Sequence, residues 1–353
     1  IDYARGICII LVGYRHCFEG LREGGFPTYD YPFLQVLNVC FFSFRMPLFF
    51  IISGLFLSLS ISKKGLGNFI WNRFRIVFYP LIIWGFIQIT IQLILKDYVN
   101  ARREPIDYLN LFVFPRKIEQ FWYLNALFMV GVFYAFNRVV LKFKYWHQLI
   151  AGFVLYSIAA YLYYNDMVLS FIPDVFHYYL YFCIGDGIAS FILNKNKEAV
   201  ITAPKWIILS LVVFIMTQSF FTVTNLWMKD DIWVSKHLPY LFLLISLSGC
   251  IFVIQLSFIL QKLGIVRWLR VIGYHSLYIY LVHLIVIAGV RVVLVRLFHI
   301  DNIPVILAIG ITAGIIIPVL LYNICVRLGW WWLFTLKKPV DEISHFSEKR
   351  LVA

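Results

Sequence analysis

"IDYARGICIILVGYRHC", residues 1–17, sets two arginines and a histidine in a run otherwise apolar enough to enter a bilayer. Charges inside such runs are costly and usually functional. Composition decides which solvent the run meets. The chain has 353 residues, of which 62% are hydrophobic and only 14% charged, and its mean hydropathy is +0.83. A soluble domain carries about 25% charged residues, so the chain reads as an integral membrane protein. Nine further apolar runs follow the first, which is therefore read as a retained span rather than a cleaved leader.

Runs long enough for a tilted or slightly short transmembrane helix fall at about 4–19, 36–61, 76–95, 121–141, 149–164, 177–193, 206–226, 239–262, 274–298 and 305–326. The expected fold is all-α: a polytopic transmembrane helix bundle of about ten spans. Eighteen Lys and Arg, among them Lys63, Lys64, Arg73, Arg75, Lys338, Lys349 and Arg350, lie in the connections after even-numbered spans and in the C-terminal tail, against eight in the other connections. That bias places both termini in the cytoplasm and makes the net charge of +13 an orientation signal rather than a nucleic-acid footprint. The bilayer is the expected partner, and nucleic acid is not. Six cysteines stand singly, with no CxxC, so neither a metal site nor a disulfide scaffold is indicated. One membrane domain over 1–330 is expected, then a cytoplasmic tail over 331–353 that begins in a Trp and Lys belt. The loop "KDYVNARREPIDYLNLFVFPRKIEQ" (96–120) mixes both signs and holds Pro105 and Pro115, which suits a partly ordered outer cap within reach of substrate.

Arg5 and His16 are eleven residues apart, and eleven steps of ~100° return to within about 20° of the starting azimuth. Both side chains thus share one helix face, separated by about 16 Å of rise. A neutral imidazole on that face can act as a general base near neutral pH. Geometry leaves a second reading open, in which Arg5 snorkels and pairs with Asp2 while His16 hydrogen-bonds a neighbouring helix.

The opening stretch resembles the Arg-x10-His signature that begins the first helix of the acyltransferase 3 family of integral membrane O-acyltransferases. The likeness continues in order through "FRMPLFFIISGLF" (44–56), "FIWNRFRIVFYPLIIW" (69–84), "FWYLNALF" (121–128) and "IGYHSLYIYLVH" (272–283). Arg45 departs from it, since many members hold a histidine or an apolar residue there. The resemblance implies transfer of an acyl group, most often acetyl from acetyl-CoA, to a hydroxyl of an extracytoplasmic sugar or glycan. Acetyl-CoA enters as a substrate, with no permanently bound cofactor, and the inner or plasma membrane of the cell is the expected location. His16 is the expected base. Arg5, Arg73 and Arg75 are the expected holders of the donor phosphates, which guanidinium forks bind bidentately; basic residues at inner helix ends are also routine orientation signals.

Further candidates line up beside these. Glu19, three residues after His16, could accept its ring N–H and fix its tautomer, or be an interfacial surface acid. Ser276, Tyr280 and His283 follow i, i+4, i+7 spacing and form one polar stripe that could line a reaction chamber or satisfy core groups. Arg45 and Pro47 fall in mid-span, where a charge needs a partner or water and a proline frees a carbonyl. Asp186 could pair with Arg45. Trp122 and Asn125 read as lining or packing. A competing class, a secondary transporter or flippase for a glycolipid or small anion, also needs buried charge, but no matched pair of Gly/Pro-broken spans is apparent.

Overall fold

The computed structural model describes residues 1–98 and 100–337, without the side chains of 58, 59 and 62–64. It is all-helical among those residues. Sixteen α-helices follow one another: α1 (Asp2–Glu23), α2 (Pro32–Cys40), α3 (Phe42–Leu55), α4 (Leu57–Arg73), α5 (Tyr79–Ile94), α6 (Asp107–Val113), α7 (Phe121–Val139), α8 (Tyr145–Tyr164), α9 (Ile172–Ile192), α10 (Glu198–Ile201), α11 (Pro204–Trp227), α12 (Trp233–His237), α13 (Pro239–Leu263), α14 (Arg267–Tyr274), α15 (Ser276–Val292) and α16 (Ile303–Arg327).

By length and composition, seven helical stretches can cross a membrane: Pro32–Leu55, Gly65–Ile94, Ile172–Ile192, Pro204–Trp227, Pro239–Leu263, Ser276–Leu297 and Ile303–Arg327. The other three expected spans coincide with α1, α7 and α8, which have 22, 19 and 20 residues. They have the length, and polar side chains set them apart: Arg5, Arg15 and Glu19 on α1, Asn125 and Asn137 on α7, His147 and Gln148 on α8.

The charged first helix is not at the periphery. It packs against α2, α3, α13, α14, α15 and α16, so its polar face meets protein instead of lipid, the arrangement that intramembrane charges require. By contrast α11 exposes Leu209, Val212, Met216 and Val223, a stripe suited to acyl chains. Helices approach closely through glycines. A Cβ at Gly54 would overlap the Phe182 carbonyl and one at Gly185 the Ile51 carbonyl, so α3 and α9 meet backbone to backbone; Gly6 and Gly273 join α1 to α14 in the same way. Small residues serve this purpose in membrane bundles.

Two five-residue π-helical segments interrupt the regular turns, Phe74–Phe78 before α5 and Val293–Leu297 after α15. The first precedes Pro80, which has no N–H to return to the preceding turn. Beyond residue 330 the chain does not leave the bundle at once. Phe334 is fully buried against Trp84, Tyr278 and Tyr322, and the Leu336 N–H donates to the Arg75 carbonyl. The rest of the expected tail, including Lys338, Lys349 and Arg350, lies outside the described residues.

Candidate active site

The C-terminal half of α1, from Val12 to Glu23, forms one wall of a cavity of about 820 Å³, a volume within the usual range for small-molecule sites. Facing it are Phe42, Arg45 and Pro47 of α3, Gln88 and Gln92 of α5, and Tyr280 with the later turns of α15. Tyr98, Asn100, Ala101, Arg116 and Glu119 of the 96–120 loop complete the wall. The cavity thus lies where Arg45 and Pro47 interrupt the apolar pattern of α3.

His16 lines this cavity, its ring packed on that of His283 with centroids 5.3 Å apart. In His283 Nδ1 lies 3.1 and 2.9 Å from the carbonyls of Ile279 and Tyr280. A carbonyl only accepts, so Nδ1 carries a proton. The Nε2 of His283 is buried and has no hydrogen-bond partner among the described residues. The fold therefore packs a second imidazole against the first.

The carboxylate that spacing offers to His16 is held elsewhere: Glu19 pairs with Arg15 at 2.6 Å and lies 3.8 Å from Arg22. One helical turn, i to i+4, favours that partner over i−3 because the arginine reaches across with its long stem. Asp186 likewise is not on Arg45. It takes Arg138 and the Tyr134 hydroxyl, both at 2.7 Å, because α9 turns that residue towards α7. Arg45 is 3% exposed, donates to the Leu11 carbonyl at 3.0 Å and borders the cavity.

Of the other expected residues, Trp122 and Tyr280 line the cavity, while Asn125, Ser276 and His283 do not border it. Trp122 carries the Arg116 guanidinium 4.4 Å above its ring. The Tyr280 hydroxyl donates to the Gln120 carbonyl, and the Asn125 amide donates to the Phe112 carbonyl at 3.4 Å. Arg5, Arg73 and Arg75 are also not on this wall. Arg5 stands 4.0 Å from Asp2, so the local pair that the sequence suggests is present but loose. Arg73 lies over the rings of Phe69 and Phe182 at 5.5 and 5.8 Å, and the Tyr123 hydroxyl is within electrostatic reach of both Arg73 and Arg5. Arg75, about 200° further round the helix, lies over Trp71 at 5.8 Å instead.

Several side chains of the cavity wall are not among the candidates that the sequence singles out, Arg15 and Arg291 on the long helices among them, nor is the group Gln88, Gln92, Arg116 and Glu119. Glu119 gathers Gln88 at 2.8 Å, Gln92 at 3.3 Å and Arg103 at 3.0 Å. Burial pushes its carboxyl above its ordinary range, and Arg103 pulls it back. Arg116 is matched by buried Asp174, with its Nε 3.0 and 2.9 Å from the two carboxylate oxygens. The mixed charge of the 96–120 loop is the one signal for the two charged members. Among the described residues no group of three or more His, Cys, Asp or Glu is placed to hold a metal ion.

The fold and the site define a helical membrane protein that holds one histidine, His16, on the wall of a buried cavity, with His283 packed against it. The chain is a member of the acyltransferase 3 family, whose acyltransferase domain matches residues 1–323; it is an acyltransferase. No curated protein and no solved structure matches it.

Proposed function

We propose that the protein is an O-acyltransferase that moves an acetyl group from acetyl-CoA to a hydroxyl of a sugar or cell-surface glycan, with His16 as general base. The observation that carries this reading is the place of His16 on the wall of a cavity of about 820 Å³ with a second imidazole, that of His283, packed against it. In the reaction His16 takes the acceptor hydroxyl proton while that oxygen attacks the thioester carbonyl. The carbon–sulfur bond then breaks, and the leaving thiolate recovers the proton from the imidazolium. His283 holds the His16 ring in place.

Arg5 and Arg73, with Arg75 nearby in sequence, take the donor phosphates at the other end of α1. About 16 Å of helix rise then separates phosphates from base, a length suited to an extended pantetheine arm. The Lys and Arg bias supports ten spans with both termini cytoplasmic in an inner or plasma membrane, so the cavity at the C-terminal half of α1 faces outward. Purified protein given labelled acetyl-CoA and a panel of glycosides tests the chemistry. His16→Ala should lower transfer by ~10²- to 10⁴-fold while the protein stays monodisperse; near-native turnover would overturn the assignment.

A further inference from the structure

The charges on the cavity wall do not cancel. Arg116 is matched by Asp174 and Glu119 by Arg103, while Arg291 donates to the Gly20 carbonyl and to the Asn100 side chain. Beside them stand two arginines on one ring: the guanidinium carbons of Arg15 and Arg45 lie 4.6 and 5.4 Å from the centroid of Phe42. Glu19 pairs with Arg15 at 2.6 Å and with Arg22 at 3.8 Å, and Arg22 also meets Asp231. Arg45 has no carboxylate within ion-pair distance among the described residues, and its one recorded hydrogen bond goes to the Leu11 carbonyl. Arg15 leaves Nη1 buried with no hydrogen-bond partner among the described residues.

A cation buried without a counter-charge is strongly disfavoured, and a phenylalanine face offsets only a small part of that cost. Such a surplus persists where a ligand completes it. Paired guanidinium groups favour a bidentate oxyanion over a neutral hydroxyl array. The residue next to Arg15 is His16, on the same cavity wall, so whatever neutralises the pair lies beside the base.

We infer that the acceptor carries an oxyanion, a carboxylate or a phosphate ester, bound between Arg15 and Arg45 beside His16. This deepens the acyl-transfer reading and rests on it for the identity of the ligand as acceptor. The donor is the less suitable occupant, because its phosphates are assigned to Arg5 and Arg73, neither of which borders this cavity.

Affinity, measured apart from turnover, tests the inference. Binding of methyl glucuronide, glucose 6-phosphate and methyl glucoside to the purified full chain is compared by calorimetry, with methyl galacturonide and methyl galactoside as a second pair so that ring stereochemistry does not decide the outcome. In the wild-type protein at least one anionic sugar should bind tenfold or more tightly than its neutral counterpart, and the glucuronide and phosphate arms tell carboxylate from phosphate. Arg45→Gln should bring the ratio within about twofold, and Arg45→Lys should restore part of it. Equal wild-type affinities within every pair would overturn the inference without any variant needing to fold. So would a preference that survives Arg45→Gln, or a change in that variant confined to choice between succinyl-CoA and acetyl-CoA. An Arg45-dependent preference with no transfer from labelled acetyl-CoA would leave the oxyanion site standing and remove the acyl-transfer reading. Transfer to neutral sugars bound as well as anionic ones would do the reverse.

Discussion

Arg73 and Arg75 are two residues apart and part company in the fold. Arg73 faces the Tyr123 hydroxyl that Arg5 also reaches, whereas Arg75 lies over Trp71 and its carbonyl ties down Leu336. Arg73→Ala should therefore raise the KM for acetyl-CoA by tenfold or more, with Arg75→Ala smaller in KM and larger in thermal stability. Steady-state kinetics beside a melting curve separates the two, and equal KM effects would count against this division of roles. Residues that share one helix face are legible in the amino-acid order itself, because helix geometry alone fixes Arg5 and His16 relative to each other. The contacts of Glu119 are not. Its partners Gln88, Gln92 and Arg103 come from α5 and from the connection before α6, and no periodicity within one helix reports a meeting between segments. Asp186 departs from expectation for the same reason, taking Arg138 of a neighbouring helix, whereas Glu19 is taken by Arg15 one turn back on its own helix, a competitor that the spacing itself contains.

At the scale of elements, the α3–α9 contact is the tightest test of the packing. Gly54→Ala or Gly185→Ala sets a methyl against a backbone carbonyl and should destabilise by about 1–3 kcal/mol, the usual range for overpacking. Gly13→Ala is the control: a Cβ there has no neighbour within 4 Å, so it should be neutral or slightly stabilising, by up to about 1 kcal/mol, through helix propensity. Thermal unfolding in detergent reads all three, and a tolerated Gly185→Ala would show that the helices can part without loss. The ten apolar runs locate these elements well, since each contains or overlaps a helix. Breaks within them are harder to see. The bend at Phe41 and the left-handed Gly65 leave no mark on hydropathy, and of the two π-helical segments only the one before Pro80 has a residue that hints at it.

For the whole molecule, the separation of Arg5 from His16 along α1 makes a directional prediction. Vesicles of known orientation, given acetyl-CoA on the face nearer Arg5 and an anionic glycoside on the face nearer His16, should form acetylated product on the glycoside side. Product formed only when both substrates share a compartment would show that the acyl group does not cross within this chain. Seven stretches pass on hydropathy; α1, α7 and α8 have the length but carry polar groups that lower theirs, some buried, as Asn125, Asn137 and Gln148 are, and some exposed, as His147 is. The cavity wall has a further consequence. Its polar part, His16 with Arg15, Arg45 and Tyr280, sits on the bundle helices α1, α3 and α15, while Tyr98, Asn100, Ala101, Arg116 and Glu119 come from the 96–120 loop. Loops diverge more readily than the scaffold that carries them. Under the proposed acyl transfer, exchanging that one loop should change acceptor choice and leave the His16 chemistry in place, which makes loop chimaeras a route to enzymes of altered acceptor range.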